Sequence, residues 1–333
     1  MKKVFVTRQI AEEALEILRK NTHVEVHSGD RPCQRDELTE KIKNAHGLVT
    51  MLNDRIDAEI ISHGEKLLVI SNAAVGYDNI DVEAATRRGV YVTNTPGVLD
   101  DATADLAFAL ILGISRRIPE ADSFIRLGLW KGWEPNLLLG SDLRDKTLGI
   151  IGLGRIGSEV AKRAKCFKMN IIYYQRQRDP EKETNMGVRY ASLEELLSIS
   201  DYVSLHVPLT SETKGMIGKK EINKMKKTAY LINTSRGPVV DEEALYEALK
   251  EEKIKGAALD VFLKEPIDPE NPLLKLKNVV LTPHIGSATV ETRKRMAILA
   301  AENTIKALND EIPPSLVNPQ ALKYRKNKNP NST

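Results

Sequence analysis

The glycine-rich turn at residues 152–157 constrains the fold more than any other stretch of the sequence. Gly152, Gly154 and Gly157 form a Gly-x-Gly-x-x-Gly pattern directly after the apolar run 148–151, and residues 158–167 continue with helical spacing. This order suits a dinucleotide, because the glycines permit a tight turn, close approach of a pyrophosphate and close packing of helix on strand. The N–H groups at the helix N-terminus would face the anion. A simple strand-to-helix turn is the alternative, because glycine-rich turns are common.

Size and charge limit the possible classes of protein. A chain of 333 residues is long for one core, so two domains are expected. The 49 basic and 46 acidic residues give a net charge of +3, which is not typical of a protein that binds nucleic acid or a membrane surface. Cys33 and Cys166 form no disulfide framework, and no Cys/His spacing suggests a metal site.

The N-terminal region also bears on location. Lys2 and Lys3 are followed by only three apolar residues, which is too few for a signal peptide. No apolar run approaches the length of a membrane span. A cytoplasmic location is therefore expected.

The order of elements predicts an α/β protein with two doubly wound parallel sheets. Residues 3–92 alternate short apolar runs with helical segments, in which Asp36 and Asp81 are predicted N-caps. A long helix is predicted from Asp101 to about residue 117, and Pro119 fits the first turn of the next helix. From residue 147 onward a second alternating block is predicted, with strands at residues 147–151, 170–174, 202–207, 229–233, 256–260 and 279–282.

A helix predicted at residues 289–308 has no strand after it in its own block. It could cross back to cover the first block, which would make that domain discontinuous. The predicted domains are therefore residues 1–98 with 287–333, and residues 99–286.

Three side chains follow predicted strands of the second block. Arg236, Glu265 and His284 come shortly after the runs 229–233, 256–260 and 279–282. Ligands of open α/β sheets bind at the carboxyl ends of the strands, so these groups can converge there. Arginine can bind a carboxylate, histidine can protonate a carbonyl oxygen, and a carboxylate would favour the imidazolium. From position alone they could equally be a surface cation, a loop charge and a strand-end hydrogen bonder.

Several motifs together resemble those of the D-isomer-specific 2-hydroxyacid dehydrogenases, and among these the glyoxylate/hydroxypyruvate reductases of archaea and related bacteria. The resemblance covers about residues 3–318 and rests on residues 75–81, 94–97, 152–157, 233–237, 258–262 and 283–286.

The resemblance implies a nucleotide domain inserted into a discontinuous substrate domain. It implies that Arg236 binds substrate, Glu265 partners the histidine, and His284 donates the proton. It further implies that Val75 and Gly76 bind the substrate carboxylate through backbone N–H groups, that Leu52 lines the substrate site, and that the protein is a homodimer, with residues 101–139 contributing. Trp130 and Trp133 would lie at that contact or close the active site.

The cofactor contacts are predicted partly from the residues and partly from the resemblance. The resemblance implies that Asp260 holds the nicotinamide amide and that Thr103 lies near the cofactor. The predicted set comprises Thr103, Gly152, Gly154, Arg155, Ile156, Gly157, Gln175, Arg176, Gln177, Arg178, Pro208, Thr213, Thr234, Ser235, Arg236, Asp260, His284 and Gly286.

The end of the predicted strand 170–174 indicates which cofactor binds. An acidic residue normally binds the ribose 2′-hydroxyl there. Here Gln175 takes that place, and Arg176 and Arg178 follow. The missing carboxylate removes repulsion of a 2′-phosphate and the arginines attract it, so NADP(H) is expected to bind at least as well as NAD(H). Alternatively, both arginines face water.

The preferred interpretation is an NAD(P)H-dependent reductase of a short 2-oxo acid, glyoxylate first and hydroxypyruvate second. A phosphoglycerate dehydrogenase or another D-2-hydroxyacid dehydrogenase is one alternative. A dinucleotide sensor without catalysis, similar to the family's corepressors, is another, although intact Arg236, Glu265 and His284 argue against it. His206 is interpreted as structural. The remaining histidines are interpreted as surface or core residues: His23, His27, His46 and His63.

Overall fold

The computed structural model describes residues 1–29 and 31–325. It divides into two compact units, Met1–Leu99 with Ser287–Thr333, and Asp100–Gly286. Part of the predicted segment 287–333, residues 326–333, lies outside the described residues. The predicted fold class, with two doubly wound parallel sheets, is confirmed. Within the described residues no helix is both long and apolar enough to cross a membrane.

The first unit has a five-stranded parallel sheet in its described part, in the order β2-β1-β3-β4-β5. Its strands are β1 (Lys3–Val6), β2 (His23–Val26), β3 (Gly47–Thr50), β4 (Val69–Asn72) and β5 (Tyr91–Thr93). Its first four helices are α1 (Glu12–Asn21), α2 (Arg35–Ile42), α3 (Ala58–His63) and α4 (Val82–Arg87).

The second unit follows a Rossmann strand order. Its described strands are β6 (Thr147–Ile151), β7 (Asn170–Tyr174), β8 (Arg189–Tyr190), β9 (Tyr202–Leu205), β10 (Tyr230–Asn233), β11 (Gly256–Leu259) and β12 (Val279–Leu281). Its helices are α5 (Asp100–Ser115), α6 (Ile118–Arg126), α7 (Arg155–Cys166), α8 (Pro180–Met186), α9 (Leu193–Ile199), α10 (Lys219–Ile222) and α11 (Glu242–Lys250). The sheet order β12-β11-β10-β9-β6-β7-β8 reverses direction between β6 and β9, which is where such sheets bind ligands.

The chain then returns to the first unit through α12 (Val290–Leu308) and ends its described part with α13 (Ala321–Arg325). The buried face of α12 is mostly alanine, including Ala297, Ala300 and Ala301, and it packs with α1 and the sheet. Within this contact the Thr304 hydroxyl donates to Ser71 Oγ at 2.8 Å.

Some local predictions were right and others wrong. Asp81 caps α4 by accepting from the Ala84 N–H, and Pro119 lies in the first turn of α6. Asp36 is not an N-cap: α2 begins at Arg35, and its N-cap Gln34 makes no side-chain capping bond. The short elements α8, β8 and α13 had not been predicted. The seven residues of α8 are almost all polar and none is buried, so no apolar period marks it.

Candidate active site

The glycine-rich turn joins β6 to α7. Gly152 has φ +95°, and a Cβ there would lie 2.7 Å from the His206 carbonyl oxygen. A Cβ on Gly157 would lie 2.1 Å from the Gly152 carbonyl oxygen, so only glycine fits at both positions. Gly154 caps α7, and a Cβ built there meets no described atom within 4 Å. The turn is therefore tightly packed at Gly152 and Gly157 but open at Gly154. A phosphate group would approach at Gly154, which lies beside the exposed Arg155.

Arg236, Glu265 and His284 are each carried on a segment that follows a strand of the second unit. Glu265 Oε2 lies 2.6 Å from His284 Nδ1, so the predicted carboxylate–histidine pair is present as a hydrogen bond. A Cβ on Gly237 would lie 1.9 Å from the Phe262 carbonyl group, and glycine thus lets the Arg236 segment pack against the loop that carries Glu265. These contacts bring the three segments together.

Electrostatics keep the Glu265 carboxylate ionised. Burial raises its pKa, but the hydrogen bond and charge of His284, the Phe262 N–H and the Arg236 charge together lower the pKa below its ordinary 4.5. The Phe262 N–H donates to Glu265 Oε1 at 3.0 Å, which fixes the second carboxylate oxygen. Since Nδ1 of His284 is bonded to Glu265, Nε2 is the ring nitrogen turned away from the carboxylate.

Asp260 holds the turn on which His284 lies. His284 has φ +54°, a left-handed conformation that costs a residue with a side chain about 1–2 kcal/mol. The buried Asp260 carboxylate accepts from the Ile285 and Gly286 N–H groups, each at 2.8 Å, and from the Thr282 hydroxyl at 2.6 Å. Burial raises the pKa of Asp260. The contact of Asp260 with a nicotinamide amide stays a prediction.

Two further groups shape the loops around the site, and sequence reasoning missed both. Glu242, at the start of α11, accepts from the Leu263 N–H at 3.0 Å and from Asn271 Nδ2 at 2.7 Å, which fixes the loop that carries Glu265. Its position in an ordinary amphipathic helix gave no signal. Lys182, in α8, donates to the Leu153 carbonyl oxygen in the glycine-rich turn at 2.9 Å. The Asp179-Pro180 pair, an N-cap followed by a first-turn proline, was the available signal for α8.

The two arginines after β7 differ in their surroundings. Arg178 forms two hydrogen bonds, of 2.7 and 2.8 Å, with Glu183 of α8. The side chain of Arg176 is 81% exposed, and its Nη1 lies 3.8 Å from Glu212. Gln175 donates to the Gln177 carbonyl oxygen at 2.7 Å. Arg176 is therefore the arginine better able to reach a ligand at this edge.

Other predicted cofactor residues lie on the same edge of the sheet. Thr234 and Ser235 follow β10 and are both buried, and the Thr234 hydroxyl has no hydrogen-bond partner among the described atoms. A buried hydroxyl without a partner is unfavourable unless a ligand supplies one, so Thr234 and the open face of Gly154 fit a bound dinucleotide. Three more residues of the predicted cofactor set are Thr103 in α5, Ile156 in α7 and Gly286 in the turn that carries His284.

The loop after β9 contains Pro208 and Thr213 of the predicted cofactor set. The Thr213 hydroxyl donates to the Pro208 carbonyl oxygen at 2.6 Å, which closes this loop. His206 Nε2 lies 2.8 Å from Ser204 Oγ, and burial lowers the pKa of His206 to about 4. A neutral, bonded imidazole agrees with the structural interpretation of His206.

The predicted substrate residues of the first unit lie after β3 and β4. Asn72 and Asn94 donate to the carbonyl oxygens of Gly76 and Val75 at 2.7 and 2.8 Å. These bonds fix the orientation of the turn that carries the Val75 and Gly76 N–H groups. Leu52 is half-buried in the loop that follows β3.

Comparisons with known proteins agree with this fold and geometry. Residues 108–286 match the family model described as D-isomer specific 2-hydroxyacid dehydrogenase, NAD binding domain. Glyoxylate reductase of Thermococcus litoralis is 56% identical over 324 residues, 96% of this chain and 98% of that protein. Glyoxylate reductase of Korarchaeum cryptofilum is 52% identical over 324 residues, 97% of this chain and 98% of that protein.

Two solved structures are also similar to this chain over nearly its whole length. A protein of Thermus thermophilus has a TM-score of 0.89 and 47% identity, over 95% of this chain and 99% of that one. An NADPH-dependent glyoxylate/hydroxypyruvate reductase of Sinorhizobium meliloti, in complex with NADP and malonate, has a TM-score of 0.86 and 31% identity, over 96% and 97% of the two chains. The fold and site define a nucleotide-dependent oxidoreductase. The chain belongs to the D-isomer-specific 2-hydroxyacid dehydrogenase family.

Proposed function

We propose that the protein reduces glyoxylate, and with lower efficiency hydroxypyruvate, to the 2-hydroxy acid with NADPH. The observation that supports this most strongly is the 2.6 Å hydrogen bond between Glu265 and His284, on segments packed together with that of Arg236. The names of the archaeal relatives support the choice of glyoxylate.

Each of these groups has one role in the proposal. Arg236 binds the substrate carboxylate through its planar pair of donors, and the Val75 and Gly76 N–H groups bind that carboxylate as well, with Leu52 in contact with the substrate. When bound, the reduced nicotinamide supplies a hydride for the carbonyl carbon. His284 donates the proton from Nε2 to the carbonyl oxygen, and Glu265 stabilises the imidazolium from which that proton comes.

NADPH is the proposed cofactor because of the charges after β7. Gln175 brings no carboxylate to repel a 2′-phosphate, Arg176 is exposed, and Lys182 brings a cation to the glycine-rich turn. Arg178 is held by Glu183 and serves mainly to fix α8. NADH is the second cofactor of the proposal.

The cofactor proposal is tested by the ratio of kcat/KM for NADPH to that for NADH. A ratio of one or more is expected. Arg176→Ala and Lys182→Met should each lower the ratio by about tenfold, since a hydrogen bond to a charged group contributes about 1.5–3 kcal/mol. Lys162→Met, which removes an exposed lysine of α7, is the matched control. A strong preference of the wild-type enzyme for NADH would contradict the proposal.

The substrate is tested by a panel of 2-oxo acids, with the loss of NADPH absorbance as the readout. The panel contains glyoxylate, hydroxypyruvate, pyruvate and phosphohydroxypyruvate. The highest kcat/KM is expected for glyoxylate, followed by hydroxypyruvate. A higher value for phosphohydroxypyruvate would favour a phosphoglycerate dehydrogenase, and no turnover of any of these acids would overturn the enzyme assignment.

A homodimer and a cytoplasmic location complete the proposal. Large apolar side chains are exposed on α6 and the loop after it, among them Leu127 at 72% and Trp133 at 83%. A second copy of the chain would cover them. Light scattering should give the mass of a dimer, and Trp133→Arg should shift it towards the monomer. The unpaired thiols of Cys33 and Cys166 support the location.

A further inference from the structure

Three side chains with different donor atoms meet in the first unit, and none of them has a role in the proposed reaction. His27 directly follows β2, Cys33 lies in the next loop, and Glu37 lies in the first turn of α2. One donor atom of each lies within 4.8 Å of the donor atoms of the other two. All three residues are half-buried. The donors are a sulfur, an imidazole nitrogen and a carboxylate oxygen.

The histidine ring is held with one nitrogen directed into this group. His27 Nε2 lies 3.1 Å from the Arg31 carbonyl oxygen, and since a carbonyl only accepts, Nε2 carries the hydrogen. His27 Nδ1 lies 2.9 Å from Glu37 Oε1, and since a carboxylate also only accepts, Nδ1 carries a hydrogen when no metal is bound. A Cβ on Gly29 would lie 2.7 Å from His27 Nε2, so the glycine lets the chain pass close to this side of the ring. A backbone carbonyl on the second ring nitrogen is the outer-shell arrangement typical of metal-binding histidines.

The donor set selects a class of metal. Thiolate, imidazole and carboxylate are the protein ligands of Zn²⁺, and three of them leave a fourth tetrahedral position for water. Ca²⁺ and Mg²⁺ bind oxygen ligands and do not use a thiolate. Asp54 adds a negative charge near Cys33, whereas Arg8 adds a positive charge that opposes a cation.

We propose that His27 Nδ1, Cys33 Sγ and Glu37 bind one zinc-class divalent ion that joins the end of β2 to the start of α2. The sequence alone predicts no metal site here and favours a surface or core role for His27, because the separations of six and four residues match no zinc motif. His27, Cys33 and Glu37 meet only in the folded chain, because a loop and the start of a helix separate them in the sequence. Burial raises the pKa of the Cys33 thiol to about 12, so the metal must displace both the thiol proton and the proton on His27 Nδ1 when it binds.

Cobalt(II) substitution tests the site directly. The full chain, without a histidine tag, is treated with a chelator, dialysed and titrated with Co²⁺. One equivalent should produce a near-ultraviolet thiolate-to-cobalt band together with visible bands of tetrahedral intensity. Zn²⁺ should then displace the cobalt and abolish both sets of bands.

Paired cysteine variants separate this site from adventitious binding. Cys33→Ser should abolish the thiolate band and weaken Zn²⁺ binding, measured against a chromophoric chelator, by at least about tenfold, since loss of even an outer-shell partner costs 10–100-fold. Cys166→Ser, which removes the exposed cysteine, should leave both unchanged. His27→Gln should weaken binding while the thermal unfolding profile shows a folded protein. Wild-type protein without a thiolate band, or a band that survives Cys33→Ser, would overturn the proposal.

Discussion

Glu265→Gln perturbs the proposed proton donor without a large change in shape. The amide keeps the size of the side chain but removes the charge that lies 2.6 Å from His284 Nδ1. A hydrogen bond to a charged group contributes about 1.5–3 kcal/mol. Each 1.36 kcal/mol is a factor of ten in rate, so kcat for glyoxylate reduction should fall by about 10- to 150-fold.

The pH dependence gives the sharper readout for this variant. His284 lowers the pKa of Glu265, and by the same interaction the Glu265 carboxylate stabilises the protonated imidazole. Glu265→Gln removes that charge and with it this stabilisation of the protonated form. The alkaline limb of kcat/KM should therefore move to lower pH in Glu265→Gln, in initial-rate assays of NADPH oxidation across a pH series.

Two controls accompany this experiment. Glu265→Asp keeps the charge and should restore part of the rate and most of the wild-type pH profile. The dissociation constant of NADPH, from fluorescence titration, should be the same in all three proteins. An unchanged alkaline limb in Glu265→Gln would refute the reasoning, whatever the effect on kcat.

Three other outcomes are expected. Arg236→Ala should raise KM for glyoxylate and lower kcat/KM by about 10- to 150-fold, in steady-state assays, through loss of a charged hydrogen bond; an unchanged KM would contradict this. Gly157→Ala should weaken NADPH binding and lower Tm, because its Cβ would lie 2.1 Å from the Gly152 carbonyl oxygen; calorimetry and fluorescence titration check both. Since the pKa of Glu265 is lowered on folding, its stabilising effect is present above pH 4.5 and is lost as pH falls through the lowered value. The Tm values of wild type and Glu265→Gln should therefore converge on acidification, and a constant difference would count against the pair.

Much of the fold was predictable because strands and helices of an α/β protein leave regular apolar patterns. The buried strands, such as β7, and the Asp81 cap followed from the residues alone. The short polar helix α8 did not, because none of its seven residues is fully buried and its sequence has no apolar period.

For the candidate site, the proximity of its members was more predictable than the hydrogen bonds that hold their loops in place. Arg236, Glu265 and His284 follow strands whose carboxyl ends share an edge, which is a property of parallel sheets. The hydrogen bonds of Asp260 to the His284 turn, and those of Glu242 to the loop near Glu265, depend on side-chain directions that emerge only in the folded chain. The cluster of His27, Cys33 and Glu37 also depends on side-chain directions in the folded chain, so its spacing in the sequence matches no known motif.

Single-turnover reduction of glyoxylate by His284→Asn, compared with wild type under saturating NADPH, tests the central claim most directly. General acid catalysis contributes about 100- to 10,000-fold, so the rate constant of the variant should fall by that factor while its dissociation constant for NADPH stays within about twofold. A variant that reduces glyoxylate at a near-wild-type rate would contradict the role of His284 as the proton donor.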